Sequence, residues 1–240
     1  MADAHSIHAP SAPLSPSVPP SPSAPLSPSA LAHQFDDLEQ QHAADELGMW
    51  LFLATEVMFF GGMFLAYAIY RRQDEAAFAA ASGKLDFWLG AINTAVLLCS
   101  SLTMVLAVHA AETAQRKPLI ALLTLTMLLG TVFLGIKSYE YHHKYEIHLM
   151  PLAGLPFVWD EEGTSAGHAQ MFFNLYFLMT GVHALHMLIG LGVMATLLVK
   201  ACRGGLLGEF AAPVNISGLY WHFVDIVWVF LFPFLYLVRV

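Results

Sequence analysis

Leu47 to Tyr70 reads LGMWLFLATEVMFFGGMFLAYAIY, 24 residues with one ionisable side chain, Glu56. As an α-helix rising 1.5 Å per residue, the run covers about 36 Å, enough to cross a hydrocarbon layer of about 30 Å. Four more apolar runs follow, Phe87 to Ala111, Leu119 to Tyr139, Met171 to Val199 and Gly218 to Val238. Each reaches the roughly 20 residues a crossing needs. Helices buried in a water-soluble core average about 11 or 12 residues and show a polar stripe. The pattern predicts an all-α integral membrane bundle of five transmembrane helices.

Composition agrees: 57% of the 240 residues are apolar and 12% are charged, against about 25% charged in an ordinary soluble domain. The formal charge of -8 says little about partners, because six of the 18 acids (Asp3, Asp36, Asp37, Glu39, Asp45 and Glu46) precede the first apolar run. Nothing in the charge pattern suits nucleic acid. Cys99 and Cys202 sit in different surroundings and read as packing residues, with no disulfide framework.

Residues 1–46 hold eight of the 13 prolines and no Lys or Arg, and the segment SAPLSPS at Ser11 to Ser17 recurs at Ser23 to Ser29. This is a Pro/Ser/Ala-rich tail, expected to be disordered. It lacks the basic start and apolar stretch of a secretory signal. Residues 47–240 form the membrane domain. Basic residues divide between the faces as Arg116, Lys117, Lys200 and Arg203 on one and Arg71, Arg72, Lys84, Lys137, Lys144 and Arg239 on the other. Counting alone leans toward an outside N-terminus.

An ionisable group at bilayer depth costs about 2.5 to 3.5 kcal/mol on insertion scales, so each one asks for a reason. Glu56 lies about 13 Å into the first helix. A carboxyl so placed suits proton relay or buffering better than ligand binding. His222 and Asp225, three apart on the last helix, read as a self-neutralising pair, at a depth that allows them to share a polar layer with Glu56. His183 and His186, also three apart, lie near the middle of the fourth helix. Asn93 adds a polar group to the second, and Lys137, Tyr139, Glu140 and Tyr141 close the third. Interhelical hydrogen bonding worth about 0.6 kcal/mol per bond is the plainer reading of the histidines and Asp225, and less so of the isolated Glu56.

Metal and haem readings are weak. Two histidines at i and i+3 on one helix cannot flank a macrocycle, although His183 with His222 remains geometrically open. The loop sequence YHHKYEIH, Tyr141 to His148, lacks the closed four-ligand pattern of a structural zinc site. Gly61, Gly62, Gly181, Gly190 and Gly192 allow close helix approach.

The block YWHFVDIVWVFL at Tyr220 to Leu231 resembles the C-terminal signature of cytochrome c oxidase subunit III. GMWLFLATEVMFFGGMFLAY at Gly48 to Tyr67 resembles the segment of that family whose membrane-buried glutamate reacts with carbodiimide, and Glu56 occupies that position. INTAVLLCSSLT at Ile92 to Thr103, the Glu140-Tyr141 pair and TGVHALHMLIG at Thr180 to Gly190 follow in family order. The resemblance covers about Leu47 to the C-terminus and is to the five-helix bacterial form, without the two helices that come first in mitochondrial members. Those helices form one arm of a lipid-filled cleft in the family. The loop from His142 to Gln170 and the run MFFNLYF at Met171 to Phe177 depart from the family pattern.

The resemblance implies a non-catalytic subunit of a proton-translocating haem-copper terminal oxidase that carries electrons from cytochrome c to dioxygen. It implies no cofactor or metal on this chain, haem and copper in partner subunits, and contacts with oxidase subunits I and II and with phospholipid. It implies a multi-pass protein of the bacterial inner membrane, N-terminus inside and C-terminus outside, a topology adopted here over the basic count. Within the superfamily, a quinol oxidase subunit III or a nitric oxide reductase accessory protein stands beside this reading. A free-standing proton or metal transporter built on Glu56, Asp225 and the histidines is disfavoured by five helices without an inverted repeat, and a membrane cytochrome b requires a haem.

Overall fold

The computed structural model describes residues 38–151, 157–204, 206–208 and 211–238. Contacts divide the chain into a short unit, 1–41, and a main unit, 42–240. Most of the expected disordered tail, residues 1–37, lies outside the described residues.

Among the described residues six helices follow one another: α1 (Leu38–Gln73), α2 (Glu75–Gly83), α3 (Phe87–Glu112), α4 (Arg116–Glu146), α5 (Ala166–Cys202) and α6 (Ala212–Tyr236). All but α2 are long and apolar enough to cross a membrane, matching the five crossings read from the sequence. The ends differ. α1 takes in Leu38 to Glu46, α4 runs past Tyr139 to Glu146, and α5 begins at Ala166, five residues before Met171. Asp74 caps α2 by accepting from the Ala77 N–H at 3.0 Å, and Asp86 caps α3 by accepting from the Leu89 N–H at 3.1 Å.

α3, α4, α5 and α6 close a four-membered ring, α3 against α4 and α6, α5 against α4 and α6, with α2 laid on α5 and α6. The faces that meet are heptad-spaced. On α4 the buried residues are Leu119, Leu123, Thr126, Gly130, Phe133, Lys137, Glu140 and Lys144, and on α3 Gly90, Asn93, Leu97, Ser100, Met104, Ala107 and Ala111, with Ala110 beside the last. Spacing of four and three keeps one stripe turned to a neighbour. In lipid that stripe is the small and polar one, because the outward face must be apolar.

α1 stands apart. Only 17% of its apolar window is buried, against 56% for α6, so α6 is the centre of the fold and α1 its rim. Aromatic side chains bridge the space: Phe60 meets Phe223, Phe64 meets Phe234, and Tyr67 meets Phe78 and Phe172. A pocket of about 470 Å3 opens between α1 and α6, walled by Leu53, Val57, Phe60, Phe64 and Phe223, with His222 as its one ionisable group.

Gly130 on α4 and Gly190 on α5 flank the buried indole of Trp221, and a Cβ added at either meets that ring at 2.9 Å. Gly190 therefore admits a large ring, whereas Gly61, Gly62 and Gly192 have nothing within 4 Å of where a Cβ would sit. Trp221 Nε1 donates to Ser100 Oγ at 2.9 Å and Trp228 Nε1 to Thr94 Oγ1 at 3.0 Å, tying α6 to α3. Two basic side chains sit on the C-terminal carbonyls of neighbouring helices, where a cation suits the helix dipole. Arg116 donates to the carbonyls of Ala201 and Cys202 at the end of α5, and Lys144 to that of Lys84 at the end of α2.

Candidate functional site

Glu56, on the inner side of α1, meets His186 of α5, with Oε2 3.1 Å from Nε2 and both side chains less than one-fifth exposed. The other ring nitrogen, Nδ1, lies 2.9 Å from the carbonyl oxygen of Val182, one turn back on the same helix. A carbonyl only accepts, so Nδ1 carries a hydrogen. Nε2 then either accepts from a protonated Glu56 or, as part of an imidazolium, donates to the carboxylate. Each arrangement places one proton between the two residues. Tyr220 OH donates to the His186 carbonyl at 3.0 Å, and the Phe60 ring stands edge-on to the imidazole at 5.4 Å. α1, α5 and α6 all contribute to holding this pair.

His222 and Asp225 do not bond each other directly. His222 Nδ1 lies 2.8 Å from Ser101 Oγ on α3. Asp225 is buried, and among the described residues neither carboxyl oxygen closes a full hydrogen bond, although the Ser101 side chain reaches toward it. Ser101 thus stands where the sequence suggested a direct pair. Glu56 pairs with His186 on the α1 side, while His222 bonds Ser101 on the α3 side.

His183 faces the other way from His186. Its ring is buried against Phe133 of α4 and Trp228 of α6, at 5.5 and 5.2 Å, and neither ring nitrogen has a partner among the described residues. Asn93 Nδ2 donates to the Phe133 carbonyl at 3.4 Å on the same side. With His183 packed in rings and His222 on Ser101, the two do not flank a common site. Among the described residues no group of three His, Cys, Asp or Glu side chains stands close enough to hold a metal ion.

Glu140 belongs to a cluster that the sequence showed only in part. Lys137, counted above among the basic residues of one membrane face, is buried on α4, and its ammonium makes three bonds: Glu140 Oε2 at 2.9 Å, Tyr176 OH at 3.0 Å and Tyr236 OH at 2.9 Å. Tyr236 OH also donates to the Glu140 carboxylate, at 2.7 and 2.8 Å from its two oxygens. The rings of Tyr176 and Trp228 stand 5.0 and 5.1 Å from the ammonium. Lys144 is buried as well. Taking both lysines out of the loop count leaves four basic residues on each face, and the lean toward an outside N-terminus disappears.

The chain matches the family model described as cytochrome c oxidase subunit III over residues 40–148 and 163–239. It belongs to that family. Among similar members, the cytochrome c oxidase subunit 3 of Alkalihalophilus pseudofirmus is 32% identical over 194 residues, 81% of this chain and 86% of that one. The quinol oxidase subunit 3 of Bacillus spizizenii is 31% identical over 196 residues, 80% and 85% of the two chains. The probable quinol oxidase subunit 3 of Staphylococcus haemolyticus is 27% identical over 203 residues, 85% and 93%. The subunit III match takes in Glu56, His186, His222, Asp225, Lys137 and Glu140, and skips part of the loop between α4 and α5. Both electron-donor classes appear in the names of these relatives.

Proposed function

We propose that this subunit III is a non-catalytic component of a proton-translocating haem-copper oxidase of the bacterial inner membrane. It stabilises the catalytic subunit and supports proton uptake, with haem and copper held by its partners, subunits I and II. The observation that carries the proton role is the Glu56–His186 contact, one hydrogen bond between two protonatable side chains near the rim of the bundle. The rim position of α1 supports docking, since an apolar helix so little covered by its own chain has a broad face for a neighbouring subunit or lipid. In the family orientation the N-terminus is inside and the C-terminus outside. The electrons come from cytochrome c. A quinol-fed complex is the second reading, favoured by the two relatives named as quinol oxidase subunits.

Isolating the full chain from native membranes with a tag is the test. A haem-copper catalytic subunit is expected to come with it, and a copper A spectrum with cytochrome c turnover separates the two donors. Glu56→Gln is expected to abolish carbodiimide labelling while assembly and oxygen reduction persist. A chain that purifies alone overturns the oxidase reading, and failure of Glu56→Gln to assemble makes the pair a structural tie.

A further inference from the structure

The pocket between α1 and α6 measures about 470 Å3, within the range of small-molecule sites. No Lys, Arg, Asp or Glu lines it, so it offers nothing to a phosphate or to any charged headgroup. Val57, Ile226 and Phe230 in its walls are each more than half exposed. Its mouth therefore opens sideways from two crossing helices into hydrocarbon, and a ligand reaches it from within the bilayer. The rings of Phe60 and Phe223, 6.2 Å apart, give it an aromatic wall. Gly61 stands in the same wall with nothing within 4 Å of where a Cβ would sit.

One polar point interrupts this surface. His222 lines the pocket, its Nδ1 lies 2.8 Å from Ser101 Oγ, and its Nε2 has no hydrogen-bond partner among the described residues. Behind it, the Ser101 side chain also reaches toward the buried Asp225. A serine hydroxyl holds one hydrogen and can still accept another. With that hydrogen toward Asp225, Ser101 accepts from the Nδ1–H, and Nε2 offers a lone pair to the pocket. With it toward Nδ1, Nε2 carries the ring hydrogen and donates. The same point of the wall thus pairs with a hydroxyl in one arrangement and with a carbonyl in the other. An alkyl chain satisfies neither and leaves a ring nitrogen unpaired in an apolar setting. The ligand that fits is neutral, has a flat ring whose oxygen alternates between hydroxyl and carbonyl, and continues into an apolar tail.

We propose that the α1–α6 pocket binds a membrane quinone, with a ring oxygen on His222 Nε2, the ring against Phe60 and Phe223, and the isoprenoid tail leaving past Ile226 and Phe230. The quinol form meets Nε2 as an acceptor, and the quinone form meets it as a donor. The inference needs only that α1 and α6 cross the membrane. It holds whichever donor feeds the oxidase, and it stands or falls separately from the oxidase reading.

The full chain, extracted with the subunits that accompany it and washed free of endogenous quinone, is illuminated with an azido-quinone bearing a decyl tail. Labelled peptides are mapped by mass spectrometry. Label is expected within residues 50–64 and 219–230, displaced by unlabelled decylubiquinone and by its quinol but not by an equal excess of phosphatidylcholine. Gly61→Leu puts a side chain into the open space of the pocket without touching His222 and is expected to abolish the label. His222→Phe keeps an aromatic ring and removes the polar point. It is expected to weaken displacement by decylubiquinone about tenfold, the equivalent of about 1.4 kcal/mol. Both variants are read on complexes of native subunit content. Label absent or confined to partner subunits, label that survives Gly61→Leu, native affinity in His222→Phe, or displacement by phosphatidylcholine as effective as by quinone would each overturn the proposal.

Discussion

Lys137→Met is the most informative single substitution in the bundle interior. The native ammonium has three hydrogens and three acceptors, on α4, α5 and α6, all between 2.9 and 3.0 Å. Methionine is of similar length and fills the space, so the change removes charge and donors and leaves packing largely intact. What remains is a buried Glu140 carboxylate with Tyr236 as its donor. Removing one partner of a buried ion pair costs about 3 to 5 kcal/mol, which in a chain of this size lowers the midpoint of thermal unfolding by about 6 to 20 °C. The companion variant, Lys137→Met with Glu140→Gln, removes the stranded charge and keeps an oxygen for Tyr236. Its loss is expected to fall at least about 2 kcal/mol short of the sum of the two single losses. Unfolding of the detergent-solubilised complex, followed by near-ultraviolet circular dichroism at Tyr176, Tyr236 and Trp228, reads the effect. A single variant within about 1 kcal/mol of native, or losses that simply add, would refute the idea that this cluster fastens three helices.

Three further expectations follow from the same geometry. Gly190→Ala pushes a Cβ to 2.9 Å from the Trp221 ring and is expected to cost about 1 to 3 kcal/mol by overpacking, whereas Gly192→Ala meets nothing within 4 Å and should leave the unfolding midpoint unchanged. The Asp74 carboxyl is held below the usual carboxylate range by the Ala77 N–H and, after a smaller opposing effect of burial, by His168 at 3.0 Å. Its contribution is therefore present above the unfolded value near about 3.9 and lost as pH falls through the lower folded value; hydrogen exchange at the start of α2 should rise in that window, and Asp74→Asn should remove the pH dependence while keeping the cap. Ser101→Ala cuts the contact between α3 and His222 Nδ1, so the nitrogen-15 shifts of the His222 imidazole should change while those of His186 stay fixed; movement of both would mean that the two groups are coupled.

The five crossings were legible in the sequence because hydrocarbon imposes length and apolarity together, and no other fold class meets both demands. Their ends were less legible. The third run ended at Tyr139 in the sequence reading, with Lys137, Tyr139, Glu140 and Tyr141 taken as its polar close, yet in the folded chain Lys137, Glu140 and Lys144 continue the α4 heptad stripe inward. A spacing of Phe133, Lys137, Glu140, Lys144 was the available signal, visible only if charges are allowed on the buried face. α2 has nine residues, EAAFAAASG, too few to stand out by hydropathy, although Asp74 ahead of an alanine run is a helix-start pattern. His222 and Asp225 are neighbours by spacing, but spacing does not decide which turns toward Ser101. The partner of Glu56 lies 130 positions away, a separation that no local pattern reports.

Polar groups inside this bundle fall into two kinds, and hydrogen-bond saturation separates them. Lys137 and Glu140 have every strong partner they need within three helices, α4, α5 and α6, so a change of protonation there breaks several contacts at once and the cluster acts as a fastening. Glu56 and His186 share one contact in which the proton can sit on either partner, on the least covered of the five crossing helices, and moving it keeps the hydrogen bond. A buried charge that is fully bonded stabilises a structure, whereas one bonded through a single exchangeable hydrogen is free to react. That contrast separates Glu56, half-buried with one partner, from Glu140, fully buried with several, and it is the basis for proposing the proton role at Glu56.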